Sequence, residues 1–317
     1  MNAEELKAAL QDFYDNYDQI GITVYVILKS ADDTGLKKVD IEADSLEGLK
    51  ALFIQSLRDH ITGREDLTVL DLSSSDERVD AIYVYDLEIP EELVAMERVL
   101  ETDDLPLLDL AAANLTDVKA LLIEIGNDVG QMVLYKTMAP VNIFGKASFF
   151  LKKARHRMEK IDDEFLRVSA GFQLLRINGT LLVIDLSAVE KSFGFHDIIK
   201  REAALGITSI EAMELVQNPE VLHELLEDVK YARRFTKVAR ASPVMKAGVP
   251  NASIIEFCKT FPRLAGRIRF NEAEDKVFLD TRVSKDLFIK LLMDDFLTSE
   301  LTHFHYASAA KDSLDDT

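Results

Sequence analysis

Residues 165–186 read FLRVSAGFQLLRINGTLLVIDL, two β-rich runs on either side of Asn178-Gly179. Both residues of that dipeptide tolerate positive φ, so the pattern predicts a two-residue turn closing an antiparallel hairpin. Outward from it, VKALLIEI (118–125) and QMVLYKTM (131–138) bracket the turn residues GNDVG (126–130) and form a second hairpin. Further toward the N-terminus, GITVYVILKS and GLKKVDIEA flank the turn ADDTG as two strands. LTVLDL and VDAIYVYDL add two more, the latter alternating Ala81, Tyr83 and Tyr85 against Ile82 and Val84.

Helices separate these strands. Residues 3–16 place Leu6, Leu10, Phe13 and Tyr14 on one side. A second helix, begun by Asp44 or Ser45, carries the stripe Leu46, Leu49, Leu52, Phe53 and Leu57. IPEELVAMERVL starts helically behind Pro90. From Ser187 to about Ser242 the sequence turns helical, and PNASIIEFCKTFP adds a helix with Asn251 or Ser253 near its start. GRIRFNEAEDKVFLDT reads as another hairpin, followed by SKDLFIKLLMDDF as a helix capped by Ser284. The fold class is α+β. The acidic run ETDDLPLLD, split by Pro106, marks the expected boundary between an acidic partner-contact unit at 1–104 and a second unit at 105–317. The second holds the Asn-Gly hairpin and a basic helix with a cationic face.

At 317 residues, 48% hydrophobic and 29% charged, the chain can bury two cores. No window approaches eighteen uninterrupted apolar residues, and MNAEELKAALQDFYDN is an acidic amphipathic start, which predicts a soluble cytosolic protein. The single cysteine, Cys258, excludes an internal disulfide and reads as a small buried thiol on a helix. No cofactor is implied.

The formal net charge of -19 is unevenly spread. Residues 1–130 hold 10 Lys/Arg and 30 Asp/Glu, whereas 131–270 hold 22 and 15. Residues 229–270 carry 10 cations against one acid, Glu256. At helical spacing Lys230, Arg233, Arg234, Lys237 and Arg240 share one arc, while Tyr231, Ala232, Phe235, Val238 and Ala239 occupy the other. Such an arc needs an anionic partner, either phosphate or this protein's own carboxylates. Lys246 follows closely. FFLKKARHRMEK, read as a basic helix, gathers Lys152, Lys153, Arg155, His156 and Arg157, and GRIRF puts Arg267 and Arg269 on one side of a strand. Helix, helix and hairpin with cations is loosely the order of a winged-helix module. With few Asn or Gln beside these cations, backbone contact with little base readout is expected.

The segment LLRINGTLLVIDLSAVEKSFGFHDIIKREA (174–203) resembles the signature region of the KwaB family, the soluble component of the Kiwa antiphage system. The positions that carry the resemblance are Val189, Glu190, Phe193, Gly194 and Phe195, with Val189 where an aromatic stands in the family pattern. The resemblance implies a bacterial cytosolic DNA-binding protein. It would work at the inner face of the membrane beside a multi-pass partner, KwaA, and help stop replication of phage DNA. It supplies no catalytic motif. As residues, Phe193 and Phe195 read as packing for the helix that follows, and Glu190 as an acid in a first helical turn.

Two other function classes compete. A magnesium-dependent nuclease needs paired acids and a lysine near the attacked phosphate. Glu227, Asp228 and Lys230, which abut the basic helix, are the candidates. His303 and His305 would share a strand face but offer no third metal ligand, so no metal site is assigned. Alternatively the acidic N-terminal part acts as a scaffold for a basic partner such as the cytosolic loops of a membrane protein. A homodimer or higher homo-oligomer is expected, since a second copy would double the basic face.

Overall fold

A computed structural model of the chain describes residues 1–29, 35–74, 80–102, 104–127, 130–144, 150–154, 157–161 and 165–308. The chain divides into two compact units, Met1–Gly194 and Phe195–Thr317.

The first unit contains α1 (Ala3–Asp15), β1 (Gly21–Leu28), β2 (Leu36–Lys38), α2 (Ala43–Leu57), β3 (Thr68–Asp71), β4 (Ala81–Val84) and α3 (Glu91–Glu101). These are followed by β5 (Val118–Gly126), β6 (Gln131–Thr137), β7 (Ile143–Phe144), β8 (Phe150–Ala154), β9 (Arg157–Ile161), β10 (Phe165–Leu166), β11 (Leu174–Ile177), β12 (Thr180–Val183) and α4 (Leu186–Glu190). Eight strands form one sheet in the order β2-β1-β5-β6-β11-β12-β4-β3, antiparallel except for the parallel pair β3 and β4. Asn178 (φ 49°) and Gly179 (φ 73°) make the two-residue turn, with Ile177 opposite Thr180. Positive φ at both positions is the type I′ geometry, whose twist matches that of the flanking strands.

One face of the sheet buries Leu121, Ile123, Met132, Leu134, Leu175 and Leu182 with Leu6 and Leu10 of α1 and Phe53 and Leu57 of α2. The residues between them, including Leu122, Tyr135, Leu174 and Val183, are buried on the opposite face, as are Leu93, Met96 and Val99 of α3. Glu97 of α3 pairs there with Arg176 of β11. Burial on both faces explains the nearly continuous apolar runs of β5 and β6, where a sheet with one wet face would alternate. Phe193 stands edge-on to Tyr135, with ring centroids 5.4 Å apart, which bears out its reading as packing.

Several expectations need correction. The division expected at residue 104 falls inside the sheet, because β1 pairs with β5 across it. The acidic run around Pro106 is a crossover: Lys38 donates its backbone N–H to the Pro106 carbonyl at 2.9 Å, and Leu108 donates back to Lys38 at 2.8 Å. The segment read as a basic helix is the antiparallel pair β8 and β9, with Lys152 opposite Glu159 and Ala154 opposite Arg157. Glu42, not Asp44 or Ser45, precedes the first residue of α2. The turn residues 31–34 lie outside the described residues.

The second unit contains α5 (Phe195–Glu211), α6 (Glu220–Glu224), α7 (Val229–Ala241), α8 (Pro243–Lys246), α9 (Asn251–Thr260), β13 (Arg269–Phe270), β14 (Val277–Phe278), α10 (Arg282–Leu292), β15 (Phe296–Thr298) and β16 (His305–Ala307). The hairpin expected at 266–281 is β13 and β14. Helix α10 is capped by Thr281, not by Ser284. Ser284 is the other half of a capping box, donating from its backbone N–H to the Thr281 hydroxyl at 3.0 Å.

No heavy atom lies within 4 Å of a Cβ built at Gly179, so its requirement is conformational and not steric. Gly179→Val is expected to lower stability by about 1–2 kcal/mol, the cost of the left-handed region for a side-chain-bearing residue. Asn178→Gly should be nearly neutral. Urea unfolding midpoints of the two variants check this.

Candidate nucleic-acid interface

The basic helix forms as its sequence requires. The Asp228 side chain accepts the Lys230 backbone N–H at 2.9 Å and so caps α7. Tyr231, Ala232, Phe235, Thr236 and Val238 are buried. Ala239, assigned to the apolar arc, is exposed, and Thr236 takes the buried place, its hydroxyl donating to the Ala232 carbonyl at 3.1 Å. α7 meets α5 so closely that a Cβ added to Gly206 would lie 2.7 Å from the Ala239 Cβ and 3.0 Å from the Phe235 carbonyl oxygen.

The cationic arc is not uniform. Arg234 pairs with Asp286 of α10 and its guanidinium lies 5.5 Å from the Tyr231 ring centroid. Burial, reinforced by Asp286, pushes the Tyr231 hydroxyl above its ordinary pKa. Arg240 pairs with Glu202 of α5 at 2.9 Å. Arg233 lies 5.6 Å from the Phe195 ring centroid, a cation–π distance. Lys230, Lys237 and Lys246 differ: among the described residues their ammonium groups make no ion pair or hydrogen bond. Part of the arc therefore meets carboxylates of this protein, whereas its two lysines and Lys246 of α8 do not. The carboxylates come from α5 and α10 and were not legible as partners in the sequence.

Arg267 is exposed in the turn before β13, and Arg269 pairs with Asp280 at 2.8 Å. Arg269 and Arg234 are thus tied to the two ends of one short stretch, 280–286, at the start of α10. Lys152, Lys153 and Arg157 belong to the first unit, on β8 and β9, and Arg155 and His156 lie outside the described residues. The order helix, helix, hairpin that suggested a winged-helix module is therefore absent, since its first member is a strand pair.

The nuclease candidates are occupied by structural contacts. Glu227 pairs with Lys200 at 2.8 Å, and Asp228 is the cap of α7. Among the described residues no group of three or more His, Cys, Asp or Glu side chains is arranged to hold a metal ion. His303 sits in the turn before β16, apart from the strand that begins at His305, so the two do not share a strand face. The His305 ring packs against Phe261 at 4.9 Å. Cys258 is buried in α9, and burial pushes its thiol up to about 12.

A sequence profile described as Kiwa protein KwaB-like matches residues 115–302. The chain belongs to the KwaB family. It is 28% identical over 324 residues to the protein named Kiwa protein KwaB from Escherichia coli O55:H7 (strain RM12579 / EPEC), with 100% of each chain covered. As a member of this family it is a component of antiphage defence. No solved structure matches it. Within the segment that carried the resemblance, Val189 is fully buried and Phe195 is 1% exposed at the start of α5, so both are core residues.

Gly206→Ala is expected to destabilise the second unit by about 1–3 kcal/mol through overpacking against α7, outweighing the roughly 1 kcal/mol helix-propensity gain. Thermal unfolding of the variant tests the sign. The native thiol of Cys258 should resist Ellman's reagent in mildly alkaline buffer and react promptly in denaturant, as the colour of the released thiolate would show.

Proposed function

We propose that this antiphage defence protein binds DNA through its second unit, largely without sequence readout, and acts beside a membrane partner engaged by its acidic N-terminal part. The observation that carries the reading is the set Lys230, Lys237 and Lys246, unpaired among the described residues of a chain whose net charge is -19. In so acidic a chain, carboxylates are abundant, yet no described one pairs with these three ammonium groups. Lysine binds phosphate as a point charge and reads no base edge. The ion-paired arginines Arg234 and Arg240 serve differently: they hold α7, which carries Lys230 and Lys237, to α10 and α5.

The membrane partner follows from charge. Residues 1–130 carry 30 acids against 10 bases. Membrane proteins concentrate Lys and Arg in their cytoplasmic loops, so such a surface has a complementary partner there. Among the described residues no helix is long and apolar enough to cross a membrane.

Fluorescence anisotropy with a duplex of mixed sequence, titrated at several salt concentrations with and without magnesium, tests the DNA reading. Each neutralised phosphate contributes about -0.9 to the slope of log affinity against log salt. The triple variant Lys230→Ala, Lys237→Ala, Lys246→Ala should therefore bind more weakly on every sequence, with a slope shallower by about 2.7. An unchanged slope, or a wild-type chain that does not bind, overturns the assignment. Magnesium-dependent cleavage that vanishes in Asp228→Ala would replace it with a nuclease.

A further inference from the structure

On the face of the sheet that carries α2, the first unit holds a cavity of about 290 Å³, partly open to solvent, with the exposed Leu110 in its lining. Val24 and Val26 of β1, Leu121 and Ile123 of β5, and Leu49 and Phe53 of α2 form much of its wall, and the rest comes from the segments 39–41, 108–115 and 165–168. Every lining side chain is Val, Ile, Leu or Phe. These side chains offer water no hydrogen bond, and an empty space of this size forfeits the dispersion contacts of its lining.

Lys136 lies beside this wall. It is 4% exposed and stands directly opposite Leu121 in the β5–β6 ladder, so the two side chains leave the same face with Cβ atoms roughly 5 Å apart. Its Nζ donates to the Ser169 hydroxyl at 2.9 Å and to the Gly171 carbonyl. Ser169 directly follows Val168, another wall residue. Among the described residues no carboxylate pairs with Lys136. The other buried lysine makes the contrast: Lys50, 3% exposed, has Glu47 at 2.9 Å and the Ile20 carbonyl at 3.1 Å. Burial lowers the pKa of Lys136, as expected for an ammonium whose only acceptors are neutral. A buried cation of this kind is stabilised by an anion brought to it.

We propose that the cavity binds a medium-chain fatty acid, its hydrocarbon tail among the side chains of the sheet and α2 and its carboxylate on Lys136. An apolar cavity of about 150 Å³ admits a benzene ring, so this one takes a tail of about twelve carbons. The site lies wholly in the first unit and does not rest on the DNA-binding reading.

Isothermal titration calorimetry of the delipidated full chain, with dodecanoate and with dodecanol below their aggregation limits, tests this. Dodecanoate is expected to bind one to one and at least tenfold more tightly than dodecanol. Lys136→Met should abolish that preference, Lys136→Arg should retain it, and Leu49→Trp, which fills the cavity from a half-buried position, should abolish binding of both ligands while unfolding cooperatively. Should Lys136→Met fail to fold, the Arg variant and the wild-type preference still decide the role of the charge. A wild-type chain that binds neither ligand marks the cavity as an internal void and overturns the proposal. So does undiminished binding in a folded Leu49→Trp variant, and equal affinity for acid and alcohol overturns the assignment of Lys136.

Discussion

The first unit depends on a two-residue turn. Positive φ at Asn178 and Gly179 sets Ile177 opposite Thr180 and thereby fixes the register of β11 on β12. That hairpin sits between β6 on one side and β4 on the other, so it joins strands from the first eighty-odd residues to strands that follow residue 118. A slip of one residue would turn Leu175 and Ile177 away from the α1 and α2 core and exchange them with Leu174 and Arg176. The Arg176 pair with Glu97 on α3 would be lost with it.

What could be read from the sequence was local. Asn-Gly between β-rich runs, the apolar stripe of α1 and the arc of α7 are each carried by neighbouring residues, and all three stand in the structure. Sheet order is a matter of contacts far apart in the chain, and it defeated the boundary expected near Pro106. An acidic, proline-containing run looks the same whether it links two domains or crosses an edge of one sheet, and here it lies along β2. The segment around Lys152 and Arg157 could be drawn with cations on one helical arc, yet it pairs as two strands. Thr281 and Ser284 share one capping box, and composition does not separate the cap from its partner.

The same limit applies to the candidate site. The amphipathic arc of α7 was visible, but the identity of its paired members was not, because Glu202 and Asp286 lie 38 and 52 residues away from Arg240 and Arg234. Pairing changes the meaning of the arc. A stretch that looked uniformly cationic is a scaffold of arginines bound to neighbouring helices, with lysines left between them. Lys136 was missed for the same reason: in QMVLYKTM it is one lysine in an apolar strand, and only its place opposite Leu121, next to the cavity, gives it meaning.

Lys230 and Lys237 are seven residues apart on α7, about two turns, which places them roughly 10 Å apart along the helix axis. One strand of a duplex rises about 3.4 Å per phosphate, so the pair spans about three steps of backbone. A footprint that short does not depend on a long straight path. Bent, nicked or unpaired stretches satisfy it as well as regular duplex, and its preference among nucleic acids would rest on local phosphate density alone.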